Sequence, residues 1–288
     1  MKNRLSWDEM LQVPPDKLNE FAFVPCKIIE NADEMFTYLA RVTVDIVKEN
    51  NENGLPTRFI WPCGPKRHFP VVAKISNEEN ISWKNTYNFQ MDEWLDWQCR
   101  TLRKDHPFNL QEYLKRELFA KMDPGLQPDD DHMFFHNPLK MDYMDEMLDK
   151  YGPVDCVFGG FGFTGHFAYN EPNPSRWYSI DNETLKNGRT RIVPTNEETF
   201  IMHSHRSTGG NTKIVPPFGI TIGLKDLLAS KRIIMVSDGG AWKQTIFRLL
   251  LMHEPTGMYP CTFVQEHPNA MVLVDGPTAE CPPYAFTN

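Results

Sequence analysis

The sequence predicts an α/β protein in which strands alternate with helices. Short apolar runs, among them Val154 to Phe158 and Arg232 to Ser237, are β-branched or bulky and stop at glycine or polar turns, as buried strands do. Between such runs, apolar residues recur three and four apart, the period of a helix packed on one face. Lys66, Asp92, His166 and Lys243 each follow an expected strand. Open α/β sheets bind ligands beyond the carboxyl ends of their parallel strands, so these four groups are expected on one edge of a single sheet.

The 288 residues suffice for one large domain or two small ones. A net charge of -8 argues against an extended nucleic-acid surface but allows a small basic pocket for an anionic metabolite. No apolar run approaches the roughly 20 residues of a membrane span, and the first residues lack the apolar core of a signal peptide, so a cytoplasmic protein without a membrane partner is expected. The 6 cysteines include no CxxC pair, which fits reduced thiols better than a disulfide framework or a zinc site. Cys63 and Cys156 are read as small hydrophobes.

In chain order, residues 1–25, with Pro14, Pro15 and Pro25, read as an N-terminal extension that wraps the domain. Asn31 caps a helix through Lys48, with Glu34 completing a capping box and Met35, Leu39, Val42 and Ile46 on one face. Thr57 to Trp61 is a strand, and the break Pro62-Cys-Gly-Pro-Lys-Arg67 places Lys66 and Arg67 beyond its carboxyl end, before another helix. Such a loop offers N–H groups and charge to a phosphate, although on these residues alone a solvated basic turn is the preferred reading. Asn85 to Gln90 is the next strand. Asp92 is expected at its carboxyl end, where Glu93 and Trp94 would raise a carboxyl pKa toward that of a useful base.

Pro107 to Met122 reads as a helix with Leu110, Leu114, Leu118 and Phe119 buried. The acids from Asp129 to Asp131, with His132 and His136, suggest a metal site; a short strand from Met133 to Phe135 would hold the two histidines apart, and the metal reading is set aside. A short helix from Met141 to Tyr151 then leads into Asp155-Cys-Val-Phe-Gly-Gly-Phe-Gly-Phe-Thr-Gly-His-Phe-Ala-Tyr-Asn-Glu-Pro172. There a strand gives way to a glycine-rich loop that holds an imidazole, His166, and a carboxylate, Glu171, the pair that proton transfer requires.

The polar segment up to Gly188 reads as a long loop near the site, of the kind that often forms a lid. A helix capped around Thr195 and Asn196 ends near His205 and Arg206. Phe218 to Leu224, Arg232 to Ser237 and Ala270 to Val274 are strands. Asp238-Gly-Gly-Ala-Trp-Lys243 joins the second of these to a helix whose N-terminus and Lys243 make a plausible anion site. No repeat is present.

Four segments give the chain its resemblance to a known family: Gln90-Met-Asp-Glu-Trp94, Gly159 to Pro172, Arg189-Thr-Arg-Ile192 and Gln265-Glu-His-Pro-Asn269. From about Cys26 to Asp275 the sequence resembles the glucosamine-6-phosphate deaminases, also called isomerases. The related 6-phosphogluconolactonases share Gly-His but not the following Asn-Glu-Pro. The resemblance implies a single Rossmann-like domain over residues 26–276, with a mostly parallel sheet flanked by helices, and a short tail over 277–288. It implies conversion of an amino-sugar phosphate to fructose 6-phosphate and ammonia with no metal or organic cofactor.

By position, Asp92 resembles the base that moves a proton between C1 and C2, His166 the ring-opening acid/base and Glu171 its orienting carboxylate. Lys243 matches the phosphate lysine, and Gly64, Lys66, Arg67 and Arg206 are the remaining phosphate-side candidates. Where the family usually has Asp before Gly-His, this chain has Thr164, and its phosphate loop is Gly64-Pro-Lys-Arg67; the expected phosphate arginine aligns with His205, one position before Arg206. Thr164 cannot ionise. Members form hexamers or monomers, so a homo-oligomer is an open expectation, and the effector pocket of regulated members is matched by Arg191 but not by Val193. An active enzyme with a shifted substrate is the main reading. A non-catalytic sugar-phosphate binder is the alternative, and a phosphosugar lactonase the weaker one.

Overall fold

Asn31 and the residues after it set the first long helix, and similar local rules account for most of the elements that follow. The computed structural model describes residues 3–62, 64–171 and 180–283. The first part of the chain forms α1 (Trp7–Gln12), α2 (Leu18–Phe21), β1 (Cys26–Ile29), α3 (Ala32–Glu52), β2 (Thr57–Trp61), α4 (Phe69–Glu78), β3 (Thr86–Gln90) and β4 (Asp92–Leu95). Next come α5 (Leu110–Glu117), β5 (Met133–Phe134), α6 (Tyr143–Tyr151) and β6 (Cys156–Gly160). The remainder is α7 (Asn182–Lys186), β7 (Arg191–Pro194), α8 (Glu197–Arg206), β8 (Phe218–Thr221), α9 (Leu224–Leu228), β9 (Ile233–Ser237), α10 (Gln244–Met252), β10 (Ala270–Asp275) and α11 (Gly276–Ala279).

The main sheet has 7 strands in the order β1-β10-β9-β6-β2-β3-β5, and every pair is parallel. Alternate residues of its central strands serve opposite cores, as the two-residue period of a strand requires. Phe59, Trp61, Cys156, Phe158, Ile234 and Val236 pack on one face. Ile60, Val157, Ile233, Met235 and Val272 pack on the other. Burial on both faces explains why these strands read as continuous apolar runs. The fold is thus a single α/β domain with a mostly parallel sheet flanked by helices.

From β2 the strand order runs outward through β3 and β5, then returns to β6 on the other side of β2. This reversal opens a crevice at the carboxyl ends of β2 and β6, where doubly wound sheets bind ligands. The two loops meet closely there, since a Cβ on Gly160 would stand 2.3 Å from the Gly64 carbonyl oxygen.

Several local expectations need correction. Asp92 does not end β3; it opens β4, which pairs antiparallel with β8 in a second sheet of order β4-β8-β7. Asn31 accepts from the Glu34 N–H at 2.8 Å, the half of the capping box that the structure contains. The helix expected from Pro107 starts at Leu110, because Asn109 caps it, and passes into a 3-10 turn at Phe119–Lys121. The segment read as an irregular loop contains α7, started by the Asp181 carboxylate accepting from the Thr184 N–H and anchored by buried Leu185. Residues 172–179, including Asn173 and Pro174, and also Cys63, lie outside the described residues.

Toward the N-terminus, Met10, Val13 and Leu18 are part of the main core. Fully buried Arg248 binds the carbonyls of Val13, Ala279 and Glu280, which fastens both ends of the described chain to α10.

Candidate active site

Asp92, His166 and Lys243, which lie far apart in sequence, line one cleft of about 530 Å³ together with Gly64, Lys66 and Arg206. The cleft sits over the crevice between β2 and β6, with β4 and α8 forming its other walls.

The loop after β6 sets His166. A Cβ on Gly162 would meet the His166 ring at 2.1 Å, so only glycine lets the imidazole lie across the turn. Gly165 has φ +86, which a side chain would strain, and its carbonyl accepts from the Cys261 N–H. Fully buried Asn170 donates to the carbonyls of Phe167 and Ile222, tying the loop to the end of β8.

Glu171 Oε1 lies 2.7 Å from His166 Nδ1. Glu171 also accepts from the hydroxyls of Thr199, at 2.6 Å to Oε1, and Thr164, at 2.9 Å to Oε2. Burial pushes the Glu171 carboxyl up, but the adjacent imidazole and these three hydrogen bonds outweigh it and hold the group below the usual range. Glu171 is therefore an ionised acceptor behind the histidine, outside the cleft lining.

Asp92 behaves oppositely. Burial, with a smaller contribution from the Glu93 charge, raises its carboxyl to about 8. Glu93 is itself committed to structure: its oxygens accept from the N–H groups of Trp94, Leu110 and Gln111 and from Gln90 Nε2, so it holds the start of α5. Two adjacent carboxyls are thus driven to different tasks by their surroundings, Asp92 in the cleft lining and Glu93 behind it.

Also in the cleft lining, buried Lys243 donates to the Phe161 carbonyl, and burial lowers its ammonium to about 7. Lys243 belongs to a 3-10 turn ahead of α10, rather than to the first turn of the helix itself. Arg206 lies over the Trp242 ring at 4.3 Å, and Lys66 over Tyr113 at 3.8 Å. Arg67 is placed elsewhere: its guanidinium pairs with Asp33 and Asp238, and it does not line the cleft. Of the two neighbours at the end of α8, Arg206 reaches the cleft and His205 does not.

His203, which is not among the candidates read from the sequence, also lines the cleft. Its ring meets Trp94 and Phe108 edge-on at 5.2 and 5.7 Å. Burial, then the charges of nearby His166, Lys66 and Lys243, lower it to about 4 despite Glu171, so it is neutral near pH 7. Its position at Arg206 minus three, on the same helical face, was the available sequence clue. Trp94, Phe108, Tyr169 and Trp242 complete an aromatic lining.

The metal reading of the acidic loop stays set aside. Asp129, Asp131 and His132 are close enough together to share an ion, but both acids are exposed, and His132 Nδ1 is engaged with the Lys84 carbonyl at 3.0 Å. His136 lies apart, buried against the Met91 carbonyl.

No family model matches the chain. It is 24% identical over 259 residues to the glucosamine-6-phosphate deaminase of Mycoplasmopsis pulmonis, spanning 86% of this chain and 91% of the relative. It is 28% identical over 218 residues to the glucosamine-6-phosphate deaminase of Staphylococcus epidermidis, spanning 74% and 80%. Among solved structures, a monomeric glucosamine-6-phosphate deaminase superposes with a TM-score of 0.75 at 23% identity, over 88% of this chain and 98% of the other. A 6-phosphogluconolactonase from Shewanella baltica superposes with a TM-score of 0.61 at 17% identity, over 88% and 98%. At these identities the structural likenesses establish the fold.

Proposed function

From the chain's membership of the glucosamine-6-phosphate deaminase/isomerase family, of which it is a divergent member, we propose that it converts an amino-sugar phosphate and water to a ketose phosphate and ammonia. One observation carries this reading. A single cleft combines a carboxyl raised to about 8, a histidine backed by an ionised glutamate, and the cations Lys66, Arg206 and Lys243 in the same lining.

In the proposed reaction, Lys66, Arg206 and Lys243 hold the phosphate, with the Gly64 backbone close by. His166 passes a proton between the ring oxygen and the anomeric hydroxyl and so opens the sugar, while Glu171 orients its ring. Ionised Asp92 then takes the proton from C2 and returns one to C1, while O1 gains a proton and the amine nitrogen gives one up. The C2–N bond becomes an imine, which water converts to the ketone, releasing ammonia. Histidine suits the first step because it can give and take a proton near neutrality. A carboxyl near 8 suits the second because it is a stronger base than an ordinary aspartate.

The cytoplasm is the proposed setting, supported by free Cys26, Cys99, Cys156, Cys261 and Cys281; no helix among the described residues is long and apolar enough to cross a membrane. The test is ammonia and ketose phosphate formation from glucosamine 6-phosphate and galactosamine 6-phosphate, abolished in Asp92→Asn. Tight binding of a sugar phosphate without turnover would favour a sensor, a reading motivated by Thr164. Hydrolysis of a phosphosugar lactone without ammonia release would favour the lactonase reading, for which the neighbour's fold is the support.

A further inference from the structure

We propose that Thr164 and Thr199 are paired positioning residues that lock Glu171 as an acceptor, so that His166 keeps its proton on Nδ1 and turns an unprotonated Nε2 to the substrate without a second ionisable partner. The inference rests on the reading of His166 as the ring-opening group. It goes beyond that reading in giving the non-ionising Thr164 a role and in adding Thr199, 28 positions from Glu171.

Each hydroxyl has one proton to give. That of Thr164 goes to Glu171 Oε2 at 2.9 Å, so its 3.4 Å approach to His166 Nδ1 cannot also be a donation. That of Thr199 goes to Oε1 at 2.6 Å. Both carboxylate oxygens are thus occupied by hydroxyl donors, and the 2.7 Å contact between Oε1 and His166 Nδ1 requires the proton to sit on the ring. In the neutral imidazole this leaves Nε2 as the lone-pair atom.

Thr199 is held as firmly as its task demands. It is 1% exposed, and its own N–H is fixed by the Asn196 cap at 2.7 Å. Four and seven positions along α8, on the same face, His203 and Arg206 reach the cleft. One helix therefore carries the Glu171 clamp at its start and a phosphate-side cation at its end, and an anion held by Arg206 bears on the element that orients Glu171.

Two readouts separate this proposal from the function on which it rests. The first needs no substrate: ring 15N chemical shifts of neutral His166, assigned against His166→Gln, in the unaltered protein and in the Thr164→Val/Thr199→Val double variant. A proton on Nδ1 in the unaltered protein, giving way to a mixture of tautomers in the double variant, is expected. A proton on Nε2 in the unaltered protein, or an unchanged tautomer in the double variant, overturns the proposal.

The second readout is steady-state ammonia release from glucosamine 6-phosphate. Either valine variant should lower kcat about 10-fold with little change in KM, and the serine variants should restore it. Thr164→Asp should also lower kcat, because it sets a second carboxylate against Glu171. Full kcat in both valine variants, or a gain in Thr164→Asp, overturns the proposal. Lack of turnover in the unaltered protein sinks the deaminase reading instead, and the tautomer measurement then decides the proposal.

Discussion

Nε2 of His136 lies 3.1 Å from the carbonyl oxygen of Met91, the residue immediately before Asp92. His136 is buried, and burial lowers its imidazole to about 4, so the ring is neutral near pH 7 and its proton sits on Nε2. The same carbonyl accepts from the Ile222 N–H at 2.9 Å. The backbone entering β4 is thus fixed from two directions just ahead of the proposed base.

His136→Leu removes one of those bonds. We expect a loss of about 1–2 kcal/mol in urea unfolding, with a fall in kcat because Asp92 is less firmly placed. Unaltered stability together with unaltered kcat would show that the contact positions nothing.

Asp92 links activity and stability in opposite senses. Its folded carboxyl is raised to about 8, so the native state binds more protons than the unfolded chain between pH 3.8 and 8. Its contribution is present below the unfolded value and is lost as pH rises through 8. Asp92→Asn should therefore be inactive, yet more heat-stable than the parent at pH 8.5, by differential scanning calorimetry. In the parent, kcat/KM should follow a bell with its maximum between pH 7 and 8, rising as Asp92 ionises and falling as Lys243 loses its proton. A variant that melts lower at pH 8.5 would count against this account.

Lys243 is lowered to about 7, chiefly by burial, so part of its population is neutral at pH 7.5. An anion in the cleft favours the charged form, and binding should draw in a proton. Sulfate is the suitable probe, because it does not titrate in this range. Calorimetry in buffers of different ionisation enthalpy should record proton uptake at pH 8, and Lys243→Met should abolish it. Equal enthalpies in all buffers would contradict the assignment of Lys243 to the anion.

His68 is fully buried among Phe36, Trp61, Phe69 and Phe158, and neither ring nitrogen has a hydrogen-bond partner among the described residues. Burial lowers it to about 3 from 6.5, so between these values the unfolded chain binds more protons and stability falls as pH falls. His68→Leu is expected to raise the melting temperature and to lessen the loss of stability between pH 7.5 and 5, measured by thermal unfolding at both. An equal loss in parent and variant would rule out this role for His68.

Local periodicity made much of the fold legible in advance. The strand from Thr57 to Trp61 and those ending at Gln90 and Ser237, the Asn31 and Asn196 caps and the apolar faces of the helices depend on residues two to four apart. The placement of Asp92, His166 and Lys243 around one cleft followed from their positions after strands, a rule of sheet topology that needs only chain order.

Other features depend on which distant segment packs against which, and sequence spacing does not encode that. Lys66 and Arg67 are adjacent, yet one lines the cleft and the other is captured by Asp33 and Asp238 on other elements. His203 shares a helical face with Thr199 and Arg206, but only the packing of Trp94 and Phe108 against its ring encloses it. The sequence by itself determined the α/β alternation and the presence of His166 and Glu171 in one glycine-rich loop. Only the tertiary structure decided that Thr164 and Thr199 meet the same carboxylate, because a buried charge takes its donors from whatever the packing brings within about 3 Å.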